Sequence, residues 1–348
     1  MEDGMTERQE TKGRSSYAGF RTTIRTVGTG RVGSRSLTFE EAREAMRALL
    51  AGEVSDAQAG AFLIAMRVKG EEPEELAGLV QALRDAAVSR AAPTNTPVAC
   101  AGAYDGVSEG PQLSLAAAVL AAACGAPCLV HCGDTLGPKY GTNPADVLAA
   151  LGGPSRPGLD ASQRMLERSG AALLHSGEAI PGWDRLATIR DQIGLRGPVH
   201  SAEKLVDHFG ARRFVVGYTH QPYGPRIVAA LDRLGAESTV AVRGIEGSDV
   251  PRPARPQATS TAPLDLPQQL NLRMPAAMSS PRDSAELTRA VLAGEEGGAV
   301  RTAVVLGAVI RLWAAGRCNS VASGAATAEA IISSGRATET LERMLETA

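Results

Sequence analysis

Three short segments of the chain combine glycines with residues that can bind phosphate or a metal ion. They are 101–106 (Ala-Gly-Ala-Tyr-Asp-Gly), 131–141 (from His-Cys-Gly-Asp-Thr to Lys-Tyr-Gly) and 243–249 (Arg-Gly-Ile-Glu-Gly-Ser-Asp). Glycine lets a backbone approach a phosphate closely, lysine supplies a point charge for it, and aspartate binds a metal ion or a hydroxyl group. The residue types therefore indicate phosphate chemistry, although each segment alone also fits a plain turn.

Each of these segments follows a short run of β-forming residues. The predicted strands are Val98–Cys100, Cys128–Cys132, Ala171–Leu174, Phe214–Gly217 and Thr239–Val242. Ala-rich helices are predicted between and after them, near 114–124, 144–151, 184–193, 201–209, 223–234, 284–293, 302–314, 320–334 and 338–347. The alternation predicts an α/β domain over 97–348. Ligands collect beyond the carboxyl ends of strands in such a sheet, so the three loops form one candidate site.

Before residue 97 the pattern is purely helical. A capping box at Thr38 and Glu41 opens the first predicted helix, Ser55 opens the second, and the third runs from about Pro73. These amphipathic helices predict a small helical domain over 36–96, against which some helices of 160–205 are expected to pack.

The first 35 residues are polar, and after Glu10 they carry basic residues without an acidic one: Lys12, Arg14, Arg21, Arg25, Arg31 and Arg35. Residues 1–35 are therefore predicted to be a basic flexible arm. Two interpretations stay open, a solvated leader or an arm that touches the phosphates of a nucleic acid or of a substrate.

Composition excludes several classes of protein. The 348 residues have a formal charge of −2, so no global basic field drives binding to nucleic acid, and with 3% aromatic residues a fold that stacks many bases is disfavoured. The five cysteines lie in apolar segments and predict a reducing compartment rather than a disulfide framework. With no signal-like or membrane-length apolar run, the sequence predicts a cytoplasmic protein that does not bind membranes.

The helical segments 37–46, 53–62 and 66–70 resemble the N-terminal domain of glycosyltransferase family 3, which includes anthranilate phosphoribosyltransferase and the nucleoside phosphorylases. The resemblance continues through 145–152 and 242–249. It implies a helical dimerisation domain, a larger α/β domain with a mixed central sheet, and phosphoribosyl pyrophosphate bound in the hinge cleft with Mg²⁺ on its pyrophosphate. A homodimer and phosphoribosyl transfer to a small acceptor are the expectations that follow.

The family's site residues carry over by position. The resemblance implies that the donor is bound by Gly102, Tyr104, Asp105, Gly106, Ser114, Lys139 and Gly141. It implies that the acceptor is bound by His131, Gly133, Asp134 and Arg196. Asp249 is the implied ligand of Mg²⁺.

Departures from the family pattern fall in the site. Ala101–Asp105 stands where the family has Gly-Thr-Gly-Gly-Asp, Asp134 replaces an arginine, and Val250 replaces the glutamate of an Asp-Glu pair. In these positions the chain looks closer to a divergent branch, of which one member is regarded as a nucleic-acid binder. The sequence thus leaves three functions open: a phosphoribosyltransferase-like enzyme with an unidentified acceptor, a non-catalytic nucleic-acid-binding homologue that uses the arm, and a nucleoside phosphorylase.

Overall fold

A computed structural model describes residues 19–30, 32–88, 90, 96–275 and 278–346. The N-terminal part is helical, with α1 at 19–28, α2 at Phe39–Leu50, α3 at Asp56–Lys69 and α4 at Pro73–Ala86. Side chains of Thr38 and Ser55 accept hydrogen bonds from backbone N–H groups at the starts of α2 and α3, each in a complete capping box. The predicted starts of both helices are confirmed.

The predicted flexible arm needs a correction in its described part. Residues 1–18 and Arg31 lie outside the described residues, but 19–28 form a helix that packs on the helical bundle. Phe20 and Val27 are buried, and the ring of Phe20 lies edge-on to that of Phe62 at 5.5 Å between centroids. Burial of this apolar face stabilises the helix. The basic residues on which the prediction of a flexible arm rests give no sign of it.

The α/β part is built on a six-stranded sheet. The strands are β1 at Val98–Ala101, β2 at Cys128–Cys132, β3 at Ala171–His175, β4 at Arg213–Tyr218, β5 at Ser238–Arg243 and β6 at Ala258–Ser260. Their order is β3-β2-β1-β4-β5-β6, with β1 to β5 parallel and β6 antiparallel on the edge. The predicted mixed sheet is confirmed. Strand β6 lies in a Pro/Ser/Thr-rich stretch between Gly247 and Gln268, whose composition predicts a long loop.

Helices cover both faces of this sheet. They are α5 at Ser114–Ala123, α6 at Pro144–Ala150, α7 at Leu159–Ser169, α8 at Trp183–Ile193, α9 at Pro198–Ala202, α10 at Tyr223–Arg233, α11 at Pro281–Ala293, α12 at Gly298–Ala314, α13 at Val321–Ser333 and α14 at Arg336–Leu345. Helix α5 is apolar along almost its whole length and is buried nearly throughout, which is typical of a central helix.

Helix α8 ties the two parts together. The guanidinium of Arg185 on α8 donates hydrogen bonds to the carbonyl oxygens of Leu49 and Val54, 3.2 and 2.8 Å away, and pairs with Asp56 at 2.7 Å. A helix of the α/β part therefore packs directly against the helical part.

The predicted helix at 201–209 is wrong. The chain instead forms the short α9 and two 3₁₀ turns, and Phe209 has a positive φ of 56°. A residue in that left-handed conformation ends any α-helix, so a single helix cannot run through this segment.

Within the described ranges, no single helix is long and apolar enough to cross a membrane. Helices α11 and α12 meet the criterion only together, as a pair bent by 76°.

Candidate functional site

A cavity of about 520 Å³ lies between the helical part and the carboxyl ends of the parallel strands. Four cationic side chains line it: Arg67 from α3, Lys139 from the loop after β2, Arg196 before α9, and Lys204 after α9. Its other walls include Glu71, His200, Tyr218, His220 and Tyr223. The volume suits a small ligand, and the concentration of positive charge suits an anionic one.

The sheet order explains why these loops meet. Strand β1 lies between β2 and β4. From β1 the chain continues to β2 and β3 on one side, and it then crosses to the other side of β1 to form β4, β5 and β6. Loops after the two middle strands diverge there and leave a crevice, the usual place for a ligand in an open α/β sheet. The predicted loops 101–106, 131–141 and 243–249 all follow strands at this edge.

Lys139 is fully engaged by its own loops. Its Nζ donates to the carbonyl oxygens of Gly106 and Glu246 at 3.1 and 2.9 Å, and it lies 3.0 Å from the Glu246 carboxylate. An ammonium group has three N–H donors, so all of them have partners. Lys139 lines the cavity and its charge is neutralised from within the chain, so its role in donor binding stays a prediction.

The Glu246 carboxylate occupies a set of backbone donors. It accepts hydrogen bonds from the N–H groups of Ser108 (3.1 Å) and Glu109 (2.7 Å) and from the hydroxyl of Ser108 (3.0 Å). Burial acts to raise the pKa of Glu246, but the Glu109 N–H and the ion pair with Lys139 outweigh it, so the pKa is lowered. The carboxylate therefore stays ionised at neutral pH.

Asp105 and Arg196 form a second ion pair at the cavity. The guanidinium of Arg196 donates to both oxygens of the buried Asp105 carboxylate, at 2.8 and 2.9 Å. This bidentate geometry is the strong form of the pair. The structure thus brings together a predicted donor-binding residue and a predicted acceptor-binding residue, each as the other's counter-charge.

Several predicted glycines are explained by contact between loops. A Cβ on Gly106, whose φ is +77°, would lie 2.2 Å from the Gly141 carbonyl oxygen, and a Cβ on Gly141 would lie 2.7 Å from the backbone of Val107. Gly102 likewise lies against the backbone of Ser248. These glycines hold the first loop against the second and third, so they shape the site through packing.

Lys204 is a buried cation with little compensation. It is 5% exposed, and its Nζ donates to the Gly217 carbonyl oxygen at 3.1 Å. Among the residues that the structure describes, no carboxylate lies within ion-pair distance of it. Burial is the main cause that lowers the pKa of Lys204 to about 8.

The predicted acceptor residues are not gathered around an open pocket. Tyr104 is 1% exposed, and its hydroxyl makes hydrogen bonds with His131 Nδ1 (2.7 Å) and Ser176 Oγ (2.8 Å). A Cβ on Gly133 would meet the rings of Tyr104 and Trp183. Tyr104 therefore fills the space between the first and second loops and packs against His131, and neither residue lines the cavity.

His131 is held neutral behind that ring. It is completely buried, and burial, with His208 nearby, lowers its pKa well below the usual value. Its Nε2 has no hydrogen-bond partner within the described part of the chain. Asp134 lies elsewhere, half-exposed beside Arg156 (2.9 Å) and His175 (3.2 Å). Of the predicted acceptor residues, only Arg196 lines the cavity.

The implied metal ligand, Asp249, lies in the core. Its carboxylate is fully buried and accepts hydrogen bonds from the equally buried Arg311 on α12 and from Ser114 at the start of α5. Both oxygens are thus engaged, and the described residues contain no cluster of three His, Cys, Asp or Glu side chains that fits a metal ion. Asp249 anchors the third loop to α5 through Ser114 and to α12 through Arg311, which supplies its counter-charge, and neither Asp249 nor Ser114 lines the cavity.

Arg67, Lys204 and Glu246 have no role predicted from the sequence, but Arg67 and Lys204 line the cavity and Glu246 pairs with Lys139. One signal was available for Lys204. Lysine is rare in this chain, at four residues among 36 basic ones, and two of the four, Lys139 and Lys204, line the cavity. His200 and His220 also line it.

Comparisons with known proteins agree with this architecture. The family model described as "Glycosyl transferase family, helical bundle domain" matches residues 21–87. The family model described as "Glycosyl transferase family, a/b domain" matches residues 106–338. Together they span most of the chain.

Several individual relatives are named anthranilate phosphoribosyltransferase. An anthranilate phosphoribosyltransferase of Methylobacterium radiotolerans is 33% identical over 333 residues, covering 90% of this chain and 93% of the relative. The crystal structure of the enzyme of that name from Thermus thermophilus superposes with a TM-score of 0.77 at 30% identity, over 90% of this chain and 96% of that one. The Saccharomyces cerevisiae enzyme in complex with PRPP and Mg shares the fold at 17% identity and a TM-score of 0.76, over 95% and 98% of the two chains.

Proposed function

The chain belongs to the glycosyltransferase family that joins a helical-bundle domain to an a/b domain, and on that premise we propose that it transfers a phosphoribosyl group from phosphoribosyl pyrophosphate to a small acceptor. The observation that carries the proposal is the convergence of four cationic side chains on one cavity at the strand ends. A donor with a pyrophosphate and a 5-phosphate requires such a concentration of positive charge.

The site suits a reaction that is driven by charge neutralisation. Phosphoribosyl transfer breaks the bond between the anomeric carbon and the pyrophosphate oxygen, and negative charge grows on the leaving group as the carbon becomes cationic. Lys139 and Arg196, released from their carboxylate partners, supply fixed positive charge to the phosphates. Closure of the helical part, which contributes Arg67, holds donor and acceptor together and excludes water.

The acceptor belongs in the same cavity under this proposal. Tyr104 and Trp183 fill the space next to His131, while Tyr218, Tyr223 and Lys204 line the open volume. An acceptor placed there meets aromatic rings and a buried ammonium group. This location replaces the predicted one around His131 and Gly133.

Mg²⁺ enters the proposal with the donor. Magnesium is commonly held by substrate phosphates and waters, with few protein ligands. The residues present do not fit a protein-held ion at Asp249, because both carboxylate oxygens bond to other side chains and the residue is buried. We therefore assign the ion to the pyrophosphate, whose charge it neutralises when bound, and give Asp249 no role in a chemical step.

Titration calorimetry with phosphoribosyl pyrophosphate and Mg²⁺ tests the donor assignment. Lys139→Ala is expected to weaken donor affinity by about tenfold to a hundredfold, because a hydrogen bond to a charged group is worth about 1.5–3 kcal/mol. Arg282→Ala is the matched control, since Arg282 is an exposed residue of α11. Donor affinity that is unchanged in Lys139→Ala, or absent in the wild type, would show that the cavity is not a donor site.

Assembly and location are part of the same proposal. We infer a homodimer with the helical part as the subunit interface. We also infer a cytoplasmic location, with which the five free cysteines agree. Nucleic-acid binding by the arm stays a prediction. Its described part presents Arg21 and Arg25 on the exposed side of α1.

A further inference from the structure

The strongest unassigned feature of the molecule is the set of donors around Glu246. Two backbone N–H groups, one hydroxyl and one ammonium group point at a single carboxylate, at distances of 2.7–3.1 Å for the best contact of each donor. Successive N–H groups in a turn, reinforced by a lysine, are a common way to bind a tetrahedral oxyanion. A carboxylate that sits in such a site presents two oxygens where a phosphate would present two or three.

We propose that Ser108, Glu109 and Lys139 form an oxyanion subsite for a phosphate group of the ligand, which the side chain of Glu246 occupies in the ligand-free protein. The subsite rests on the proposed function, because it supplies the place where a donor phosphate binds. It goes beyond that function by assigning backbone donors that the cavity lining does not include, and an internal competitor for them.

The hydrogen-bond count of Lys139 makes the competition necessary. Its three N–H donors are used by the Gly106 carbonyl, the Glu246 carbonyl and the Glu246 carboxylate. A phosphate that binds Lys139 must take over at least one of these bonds. Of the three partners of Lys139, we expect the Glu246 carboxylate to be displaced, because its negative charge would repel the incoming phosphate whereas the two carbonyl groups are neutral.

The backbone around Glu246 shows how its side chain reaches the subsite. Glu246 has a positive φ of 50°, in the left-handed region that non-glycine residues seldom occupy. This turn aims the side chain from the loop after β5 back to the loop after β1, 138 residues away from Ser108 in sequence. Release of the carboxylate needs only side-chain rotation, since Glu246 is partly exposed at 17%.

The test uses inorganic phosphate and titration calorimetry without Mg²⁺. Glu246→Gln keeps the shape of the side chain and removes its charge, so the internal competitor weakens by the difference between a charged and a neutral hydrogen bond. We expect phosphate affinity to rise about tenfold. Most substitutions at a binding site weaken binding, so a gain is a discriminating result.

Two further variants complete the design. Glu286→Gln removes the same charge from the exposed face of α11 and is expected to change phosphate affinity less than twofold. Glu246→Asp retains the charge on a side chain one methylene shorter and also raises affinity, because the carboxylate no longer spans both loops. Asp is measured in place of Gln if thermal unfolding shows that the Gln variant has not folded.

Amide hydrogen exchange separates competition from a purely structural cap. The Ser108 and Glu109 amides are protected in the wild type, exchange faster in Glu246→Gln, and regain protection when phosphate is added. If Glu246 only caps the turn, phosphate will not restore protection and the variant's phosphate affinity will be equal or lower. Either result overturns the subsite.

The outcome is separable from that of the donor assignment. Loss of phosphoribosyl pyrophosphate binding in Lys139→Ala, without a gain of phosphate affinity in Glu246→Gln, would uphold the proposed function and refute the subsite. A gain in Glu246→Gln in a protein that does not bind phosphoribosyl pyrophosphate would uphold the subsite and refute the donor.

Discussion

Replacing Asp249 by asparagine distinguishes an ion-pair anchor from a metal ligand. Asp249 and Arg311 are both fully buried and pair directly. Removing one partner leaves the other charge buried without compensation, which costs about 3–5 kcal/mol. For a chain of 348 residues, an unfolding entropy of about 2.1 cal/mol/K per residue converts this loss into a decrease in Tm of about 4–7 °C.

Differential scanning calorimetry measures that decrease, first without ligand and then with Mg²⁺ and phosphoribosyl pyrophosphate. Asp160→Asn is the matched control, because Asp160 pairs with Arg90 at the surface, where it is 71% exposed, and such pairs contribute about 0–1 kcal/mol. The double variant Asp249→Asn with Arg311→Met is expected to be more stable than Asp249→Asn alone, since no unpaired buried charge remains.

The opposite pattern would refute this reasoning. A variant Asp249→Asn with the Tm of the wild type, but without Mg²⁺-dependent donor binding, would mean that Asp249 serves the metal and that its pairing with Arg311 is secondary. An intermediate Tm that the double variant does not improve would also contradict an ion pair as the cause.

Three further substitutions follow from burial, hydrogen bonding and loop contact. Lys204→Met should stabilise the protein at pH 7, by at most about 3 kcal/mol, because burial lowers the pKa of the lysine to about 8 from 10.5. The unfolded chain binds the extra proton between these values, so wild-type stability rises with pH from 8 to 10.5 and the advantage of the variant in Tm vanishes over that window. Tyr104→Phe should cost about 1–3 kcal/mol in urea unfolding, because two buried partners of the hydroxyl lose a hydrogen bond, whereas Tyr140→Phe at an exposed position should be near neutral. Gly106→Ala should destabilise the protein more than Gly125→Ala does; both glycines have positive φ, but only at Gly106 would the new Cβ meet a carbonyl oxygen at 2.2 Å, and equal losses of Tm would contradict the contact.

The fold was largely predictable from local pattern. Capping boxes and apolar spacing place the starts of α2 and α3, and the strand runs agree with β1 to β5 to within a residue or two. Failures occur where tertiary contact decides. The helix at 19–28 depends on burial of Phe20 against Phe62, and the break at 201–209 depends on the left-handed Phe209, neither of which the local sequence signals.

The site was predictable as a place more than as a set of contacts. The rule that ligands bind beyond strand ends predicts that the three loops lie together, and their backbones do meet; Lys139 and Arg196 line the cavity, whereas no residue of 101–106 or 243–249 does. Asp249 does not, because its partner Arg311 is 62 residues away in sequence and no local pattern reveals a buried pair of that span. The acceptor side was not predictable either, because the ring of Tyr104 in the first loop fills volume that a glycine would leave open.

Charge balance links these observations. Four cations around one cavity repel each other and oppose folding, and the chain's own carboxylates neutralise two of them. Glu246 neutralises Lys139, Asp105 neutralises Arg196, and burial favours the neutral form of Lys204. An anionic ligand then binds by exchanging partners, so its affinity depends on how readily each carboxylate withdraws. The side chain of Glu246 is 17% exposed and has a route to solvent, whereas that of Asp105 is completely buried, so we expect ligand exchange to begin on the Lys139 side of the cavity.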